Sequence, residues 1–99
     1  MPLTPKQRSH LRSLAHHLKP IHHVGKEGIG EPTLKSIAEA FNQRELMKVR
    51  VQESAPEAAK VVGQRLAESI PGVEHIQTIG RVVVLYRRHP ERPEIHLPG

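Results

Sequence analysis

The segment that most constrains the fold is Arg81 to Arg87, which follows another β-type segment, Val73 to Ile79, after the single residue Gly80. Its three valines, leucine and tyrosine make it the strongest β segment in the chain. A one-residue link is too short for a crossover, so the two segments can form only a hairpin of antiparallel strands. The sequence therefore predicts that strand four runs antiparallel to strand three.

Helical and β-type patterns alternate in the first part of the chain. Thr4-Pro5 predicts the N-cap and first residue of helix one, because a proline at that position loses no helical hydrogen bond. The apolar positions of this helix share one face, and they are Leu11, Leu14, Ala15 and Leu18. Pro20 is expected to stop the helix, and Ile21 to Val24 is predicted to be strand one.

The middle of the chain repeats this alternation. A second helix is predicted from about Glu31 to Asn42, with the buried positions Leu34, Ile37, Ala38 and Phe41. Strand two follows, because Met47, Val49 and Val51 alternate with more polar residues. Ser54 and Glu57 have capping-box spacing and are expected to open helix three, whose predicted inner face is Ala58, Val61, Val62 and Leu66.

The predicted order is therefore αβαβαββ. Helix-length connections between strands one, two and three imply parallel, right-handed units, and the hairpin adds an antiparallel strand. We expect an α/β domain of the two-layer α+β kind, with helices packed on a four-stranded mixed sheet, over residues 1–88. Residues 89–99 contain Pro90, Pro93 and Pro98, which predict an extended tail.

The amino-acid composition excludes several classes of function. The 99 residues are 36% hydrophobic, which suffices for one modest core but not for a core plus a deep catalytic cavity. The absence of cysteine excludes disulfides and thiolate zinc sites. The longest apolar run, Val82 to Tyr86, is too short for a bilayer span or a signal peptide. We therefore expect a cytoplasmic protein without a membrane partner.

The positive charge is concentrated at the two ends of the chain. The formal net charge is +5, and residues 1–26 carry five basic residues and no acidic one. Residues 81–99 also carry more arginine than glutamate. Such segregation indicates a polyanionic partner, since solubility does not require one sign of charge to cluster. The only aromatic residues are Phe41 and Tyr86, so we expect contact with a nucleic-acid backbone rather than base stacking, and Tyr86 is expected in the core or at a sheet edge.

A glycine loop lies between strand one and helix two. Gly25 and Gly28 permit a close backbone approach to a phosphate, and Lys26 adds a positive charge at the tip. The alternative is an ordinary βα turn that needs glycine only for its backbone angles. Glu27 favours this alternative, because its negative charge would repel a phosphate. The spacing is neither that of a P-loop nor that of a dinucleotide-binding loop, so nucleotide hydrolysis is not expected.

The eight histidines do not form a predicted metal site. No two have helical i, i+3 or i+4 spacing or strand i, i+2 spacing, and neighbours such as His16 and His17 diverge by about 100° on a helix. We interpret them as surface or edge groups that assist phosphate binding. No local set of nucleophile, base and acidic partner is present either, so we expect no enzymatic activity, cofactor or small-molecule substrate.

Four blocks of sequence carry a resemblance to a known family. They are T-P-K-Q-R-x-x-L-R-x-L-A-H-x-L-K-P at 4–20, G-K-E-G-I at 25–29, E-L-M-K-V-R-V at 45–51 and I-G-R-V-V-V-L-Y-R at 79–87, with I-H-L-P at 95–98. In this order they resemble the CRM domain family, and more closely its bacterial stand-alone YhbY-like members. The resemblance implies a fold similar to the C-terminal domain of translation initiation factor three, RNA binding, and association with precursors of the large ribosomal subunit.

The resemblance also implies a G-x-x-G loop like the backbone clamp of KH domains, here Gly25, Lys26, Glu27 and Gly28. Two departures, Glu27 and the Gly30 that replaces a usual Thr or Ser cap, are expected to weaken phosphate binding at the loop. Helix one and strand four would then contribute more. The candidate RNA-binding residues are Gly25, Lys26, Glu27, Gly28, Arg8, Arg12, Lys19, Arg81 and Arg87.

Two alternatives remain open at this point. The basic residues of helix one could simply extend past its apolar face without binding anything. The chain could also be a protein-interaction module that joins the assembling ribosome through a ribosomal protein, without direct contact to rRNA.

Overall fold

The computed structural model describes residues 2–99, so Met1 of the predicted domain 1–88 lies outside the described residues. In chain order the elements are α1 (Pro5–Ala15), β1 (Pro20–Val24), α2 (Glu31–Ala40), β2 (Leu46–Val51), α3 (Ala59–Ser69), β3 (Glu74–Ile79) and β4 (Val82–Tyr86). The predicted order αβαβαββ and the α+β fold with a four-stranded mixed sheet are confirmed.

The hairpin strand β4 lies inside the sheet. The strand order is β1-β2-β4-β3, with β1 parallel to β2 and β4 antiparallel to both of its neighbours. The predicted antiparallel hairpin is present, but its link is two residues long, Gly80 with a φ of 57° and Arg81, because β4 begins at Val82. Strands β1, β2 and β3 run in one direction, as predicted, so the loops that follow them lie at one end of the sheet.

Both faces of the sheet are covered. The larger apolar cluster lies between the sheet and helices α2 and α3, and includes Phe41 and Val49. The smaller cluster lies under α1, and includes Leu11 and Tyr86. Tyr86 is 4% exposed, which confirms its expected place in the core. Because successive residues of β4 point to opposite faces, its unbroken apolar run fills both clusters.

Helix α1 begins as predicted but ends early. The Thr4 hydroxyl accepts from the Gln7 backbone N–H, and the Gln7 side chain accepts from the Thr4 backbone N–H, which completes a capping box. The helix ends at Ala15, where the backbone turns and the Leu18 N–H donates to the Ala15 carbonyl at 3.0 Å. Of the four residues predicted to share the apolar face, Leu11 and Ala15 are buried, whereas Leu14 and Leu18 are 40% and 38% exposed.

Helix α3 begins later than predicted. Its N-cap is Ala58, and the capping box predicted at Ser54 and Glu57 is wrong. These residues lie in turns that precede the helix, and Glu57 pairs instead with Arg65 on the helix surface. The prolyl ring of Pro56 packs beside Gly28, so this segment closes over the glycine loop.

The inner face of α3 differs from the predicted one as a result. Ala58 and Val61, predicted to be buried, are exposed, whereas Val62 and Leu66 are buried as expected. Gly63 is also buried in this face. A Cβ atom at Gly63 would lie 2.8 Å from both the His75 Nε2 and the Val83 Cγ1, so the close packing of α3 on the sheet requires glycine there.

The residues after β4 form no helix or strand, but Glu45 holds them against the domain. Its carboxylate accepts from the backbone N–H groups of His89 at 2.8 Å, Glu94 at 2.7 Å and Ile95 at 2.8 Å. Burial alone would raise the pKa of Glu45, but these three hydrogen bonds outweigh it, and the pKa lies below its usual value. Ile95 and Leu97 thereby pack on the smaller apolar cluster.

Candidate nucleic-acid interface

The glycine loop is a tight turn after β1. The Gly28 N–H donates to the Gly25 carbonyl at 2.9 Å, and Gly28 has a φ of 68°, which favours glycine. The backbone angles of the turn therefore account for glycine at position 28 without a ligand. The Gly28 N–H already donates within the turn and does not need a phosphate acceptor. Lys26 and Glu27 are exposed at the tip, so they are the loop residues that can meet a partner.

The start of α2 adds only a weak attraction for anions. Gly30 is the N-cap and provides no side-chain hydrogen bond, and Pro32 has no N–H to offer. Glu31 places a negative charge in the first turn, where it interacts with the positive end of the helix dipole in place of a bound anion. The positive charge near the loop must therefore come from side chains.

Arg81 lies at the same end of the sheet as the loop. Its carbonyl accepts from the Val51 N–H at 2.7 Å, while the Gln52 N–H donates to the Val24 carbonyl at 2.8 Å, so the ends of β1, β2 and the hairpin are tied together. The Arg81 guanidinium lies 3.5 Å from the Glu53 carboxylate, and both side chains are well exposed. An exposed pair of this kind is weak, so Arg81 is available to another anion.

Three other predicted residues lie away from the loop. The Arg8 guanidinium donates to the backbone carbonyls of His75 at 2.6 Å and Ile76 at 3.3 Å, where the register of β3 shifts. Arg87 is on the opposite sheet face from α1, with its guanidinium 5.5 Å from the centre of the Phe41 ring. Lys19 is exposed in the turn before β1, not on α1, and at the other end of that strand from the loop.

Arg12 lies in a groove between α1 and the sheet, of about 490 Å³. The sheet contributes Lys48, Gln77 and Ile79 to this groove, and the end of α1 contributes His16 and His17. No acidic residue among residues 2–99 lines it. The groove therefore combines positive charge with an accessible concave surface.

The sequence reasoning missed the two cations of β2 as site residues. Met47, Val49 and Val51 pack in the larger cluster, so Lys48 and Arg50 point to the α1 side, and Arg50 is exposed. The alternation of charged and apolar residues in β2 already indicated this placement. We call Arg12, Lys48 and Arg50 the basic strip.

The basic strip leads from the groove to the glycine loop. Arg50 pairs with His23 in the register of β1 and β2, and the loop begins two residues after His23. Since paired residues of neighbouring strands point to the same face, the strip continues from Lys48 along β2 toward Lys26. The register thus places Arg50 between the groove and the start of the loop. Arg81 lies at the same end of the sheet, but beside Glu53 and the segment that precedes α3.

Residues 2–99 contain neither a candidate metal cluster nor a candidate membrane-spanning helix. No group of three or more histidine, aspartate or glutamate side chains in this range could hold a metal ion. No helix in the described part of the chain is long and apolar enough to cross a membrane.

Similarity to known proteins covers almost the whole chain. The family model of the CRS1 / YhbY (CRM) domain matches residues 3–87. "Probable RNA-binding protein YqeI" of Bacillus subtilis is 44% identical over 96 residues, which are 97% of this chain and 99% of that protein. A Haemophilus influenzae protein named "RNA-binding protein" is 36% identical over 96 residues, 97% of this chain and 95% of its own length.

A solved structure has the same fold. The solution structure of the hypothetical protein SAV1595 from Staphylococcus aureus superposes with a TM-score of 0.81 at 41% sequence identity. The match covers 98% of this chain and 100% of that one. Fold and sequence similarity therefore extend together from one end of the chain to the other.

Proposed function

The chain belongs to the CRS1/YhbY (CRM) domain family, and we propose that it is a non-enzymatic, cytoplasmic RNA-binding protein that assists assembly of the large ribosomal subunit. Its partner would be the rRNA of the subunit precursor. Relatives named as RNA-binding proteins support the general assignment. The observation that carries the proposal is the connection of the basic strip to the glycine loop, in a surface whose groove has no acidic lining residue.

This surface suits a polyphosphate backbone. Lys26 and Arg81 would contact phosphates beside the loop, and the basic strip would contact those that follow along the sheet. Arginine and lysine side chains bind phosphate and release the counterions condensed on RNA. We assign no phosphate contact to Arg8 or Arg87, because the first donates to β3 carbonyls and the second packs over Phe41.

Salt dependence tests the electrostatic mechanism. With roughly three to five phosphate contacts, the logarithm of the association constant should fall against the logarithm of salt concentration with a slope of about −2 to −4.5. The measurement is filter binding of a large-subunit rRNA fragment to the purified protein between low and physiological salt. An affinity that stays constant across this range would contradict the mechanism.

A pair of charge-matched variants tests the position of the surface. Lys48→Gln with Arg50→Gln should weaken rRNA binding about tenfold or more and make the salt slope less steep by about 1.5 to 2, because two phosphate contacts are removed. Lys35→Gln with Lys60→Gln removes the same charge from exposed positions on α2 and α3, on the other side of the sheet. Equal losses in the two variants would contradict the assignment of the basic strip.

The ribosomal part of the proposal needs a cellular measurement. Ultraviolet crosslinking in cells, followed by separation of ribosomal particles, should give RNA adducts on residues 25–28 or on the basic strip. The crosslinked RNA should map to large-subunit rRNA in precursor particles. Adducts confined to messenger RNA would retain RNA binding and refute the role in subunit assembly.

An apolar surface supports a second candidate, the protein-interaction module. Leu14 and Leu18 line an open groove of about 290 Å³ together with Leu46 and Ile95, at the start of β2 and therefore at the far end of the strands from the glycine loop. A ribosomal protein could contact this groove. The same crosslinking experiment separates the two functions, since protein adducts at Leu14 and Leu18 with no RNA adduct anywhere would favour the module.

A further inference from the structure

The adjacent histidines at the end of α1 have no role in the phosphate contacts described above. His16 and His17 are both exposed and both line the groove beside the basic strip. Their rings meet edge to face, with centroids 5.2 Å apart and an angle of 80° between the planes. Two flat rings in different orientations therefore stand at the edge of a concave, positively charged surface.

The interior of the groove is partly apolar. Val84 forms part of its floor and belongs to the smaller apolar cluster. Ile79 also lines the groove and is 58% exposed, the most exposed large hydrophobic side chain in residues 2–99. A single exposed isoleucine is common on protein surfaces, but this one adds apolar area to a concave groove.

Polar groups line the rest of the groove. The Gln77 side chain and the Ser13 hydroxyl can each donate and accept hydrogen bonds, and Arg12 and Lys48 provide positive charge. Flat rings and apolar surface suit the face of a base, the amide and hydroxyl suit its edge, and the cations suit the adjoining phosphate. This combination is that of a nucleotide site rather than of a surface for phosphate alone.

We propose that the groove between α1 and the sheet binds one unpaired nucleotide of a single-stranded RNA segment. Its base would contact the rings of His16 and His17 and the side chain of Ile79, while Arg12 and Lys48 hold its phosphate. The volume of about 490 Å³ is within the range of about 300 to 1,000 Å³ found for small-ligand sites. A base inside an RNA duplex is stacked and paired, so only an unpaired base can enter.

This inference rests on the proposed RNA binding and specifies the class of RNA. The shortage of phenylalanine, tyrosine and tryptophan argued against stacking, but histidine rings also stack on bases. The backbone would then be held along the basic strip and at the glycine loop, with the groove selecting unpaired over paired segments. A single-stranded loop or end of rRNA fits this description.

The test compares two RNA probes at one fixed salt concentration. One is a single-stranded RNA decamer of mixed sequence that contains the fluorescent base 2-aminopurine, and the other is a blunt RNA duplex of ten base pairs. His16→Ala with His17→Ala should weaken binding of the decamer about 5- to 150-fold, the range that corresponds to loss of one base–ring contact, and leave duplex binding within twofold. Quenching of 2-aminopurine on binding should also be lost.

Two further variants make the result specific. His96→Ala removes an exposed histidine from the tail and should leave binding of both probes unchanged. Gln77→Ala removes a hydrogen-bonding side chain from the groove and should reduce only decamer binding, which tests the site without changing a histidine. Melting curves should show that each variant is folded, since His16, His17 and His96 are all exposed.

The outcomes separate this inference from the proposed function. If the unaltered protein binds neither probe, RNA binding itself is refuted, and the nucleotide site with it. If it binds RNA but the double histidine variant keeps its affinity for the decamer, or loses affinity for both probes equally, only the nucleotide site is refuted. Selective loss for the decamer in both the histidine and the Gln77 variants supports it.

Discussion

Replacement of Glu45 by glutamine should release the tail from the domain. Glu45 is 5% exposed, and one carboxylate oxygen accepts from the N–H groups of Glu94 and Ile95 while the other accepts from that of His89. Glutamine has a single acceptor oxygen, and its amide nitrogen would face at least one of these N–H groups. Two donors cannot bond to each other, so the arrangement cannot be kept intact.

The geometry sets the expected loss of stability. A hydrogen bond to a charged group contributes about 1.5 to 3 kcal/mol and one between neutral groups about 0.5 to 1.5 kcal/mol. Loss of one bond costs about 2 kcal/mol, and weakening of the other two costs about 1 kcal/mol each, which gives a ceiling of about 4 kcal/mol. The tail can shift and hydrate its freed N–H groups, so we expect about 2 to 3 kcal/mol.

The assay is urea unfolding of Glu45→Gln at neutral pH, with Glu91→Gln as the control. Both substitutions remove one negative charge, but Glu91 is exposed in the tail. The control should change the free energy of unfolding by less than about 0.5 kcal/mol. Hydrogen exchange at the Glu94 and Ile95 amides should become faster in Glu45→Gln. Equal stabilities of the two variants, or unchanged exchange at these amides, would refute the role given to Glu45.

The pH dependence of unfolding gives a second check on Glu45. Its pKa is lower in the folded protein than in the unfolded chain, so its contribution is fully present above the ordinary glutamate pKa. This stabilising contribution is lost as the pH falls from the ordinary glutamate pKa through the lowered pKa of the folded protein, because the unfolded chain binds the proton first. The acid-induced fall in stability should be smaller in Glu45→Gln, and an unchanged fall would contradict this assignment.

Four other substitutions test contacts within the folded domain. Burial lowers the pKa of His75 in the folded protein. Its contribution to the free energy of unfolding should therefore be complete above the ordinary histidine pKa and decrease as the pH falls through the lowered pKa. Urea unfolding of His75→Gln should lack this pH dependence. Gly63→Ala should lower the free energy of unfolding by about 1 to 3 kcal/mol through overpacking against Val83, although alanine favours helices; a stabilised variant would contradict the contact. In thermal unfolding, Arg8→Ala should lower the free energy of unfolding by about 1 kcal/mol and Arg12→Ala by less than about 0.5 kcal/mol. Equal losses would contradict the hydrogen bonds from Arg8 to β3.

The sequence predicted the elements because local signals there agreed with the tertiary structure. Thr4 with Pro5 started α1, and Gly80 forced the hairpin. The signal at Ser54 and Glu57 failed because it is only four residues long and competes with other contacts. Pro56 packs on Gly28, far away in the chain, and no local pattern contains that contact.

The candidate site was harder to predict than the fold. The sequence marked both Arg8 and Arg12 as candidate RNA-binding residues, but only the structure shows that Arg8 donates to carbonyls of β3 while Arg12 lines the groove. The different surroundings of Arg8 and Arg12 depend on the position of β4 between β2 and β3, because the strand order determines which strand each end of α1 crosses. Strand order depends on long-range packing and was not contained in the element order.

The basic strip is positioned by the same packing that builds the core. Side chains of β2 alternate strictly, so burial of Met47 and Val49 in the larger cluster forces Lys48 to the α1 side. A one-residue shift in register would bury the cation and expose the apolar side chains, which costs far more than any conformer of a surface lysine. The backbone that carries Lys48 and Arg50 is thus fixed by the core, and in the proposed complex RNA binding would order only their side chains. A loop with the same charges would have to lose backbone freedom as well, so placing the cations on a buried strand reduces the entropy cost of binding.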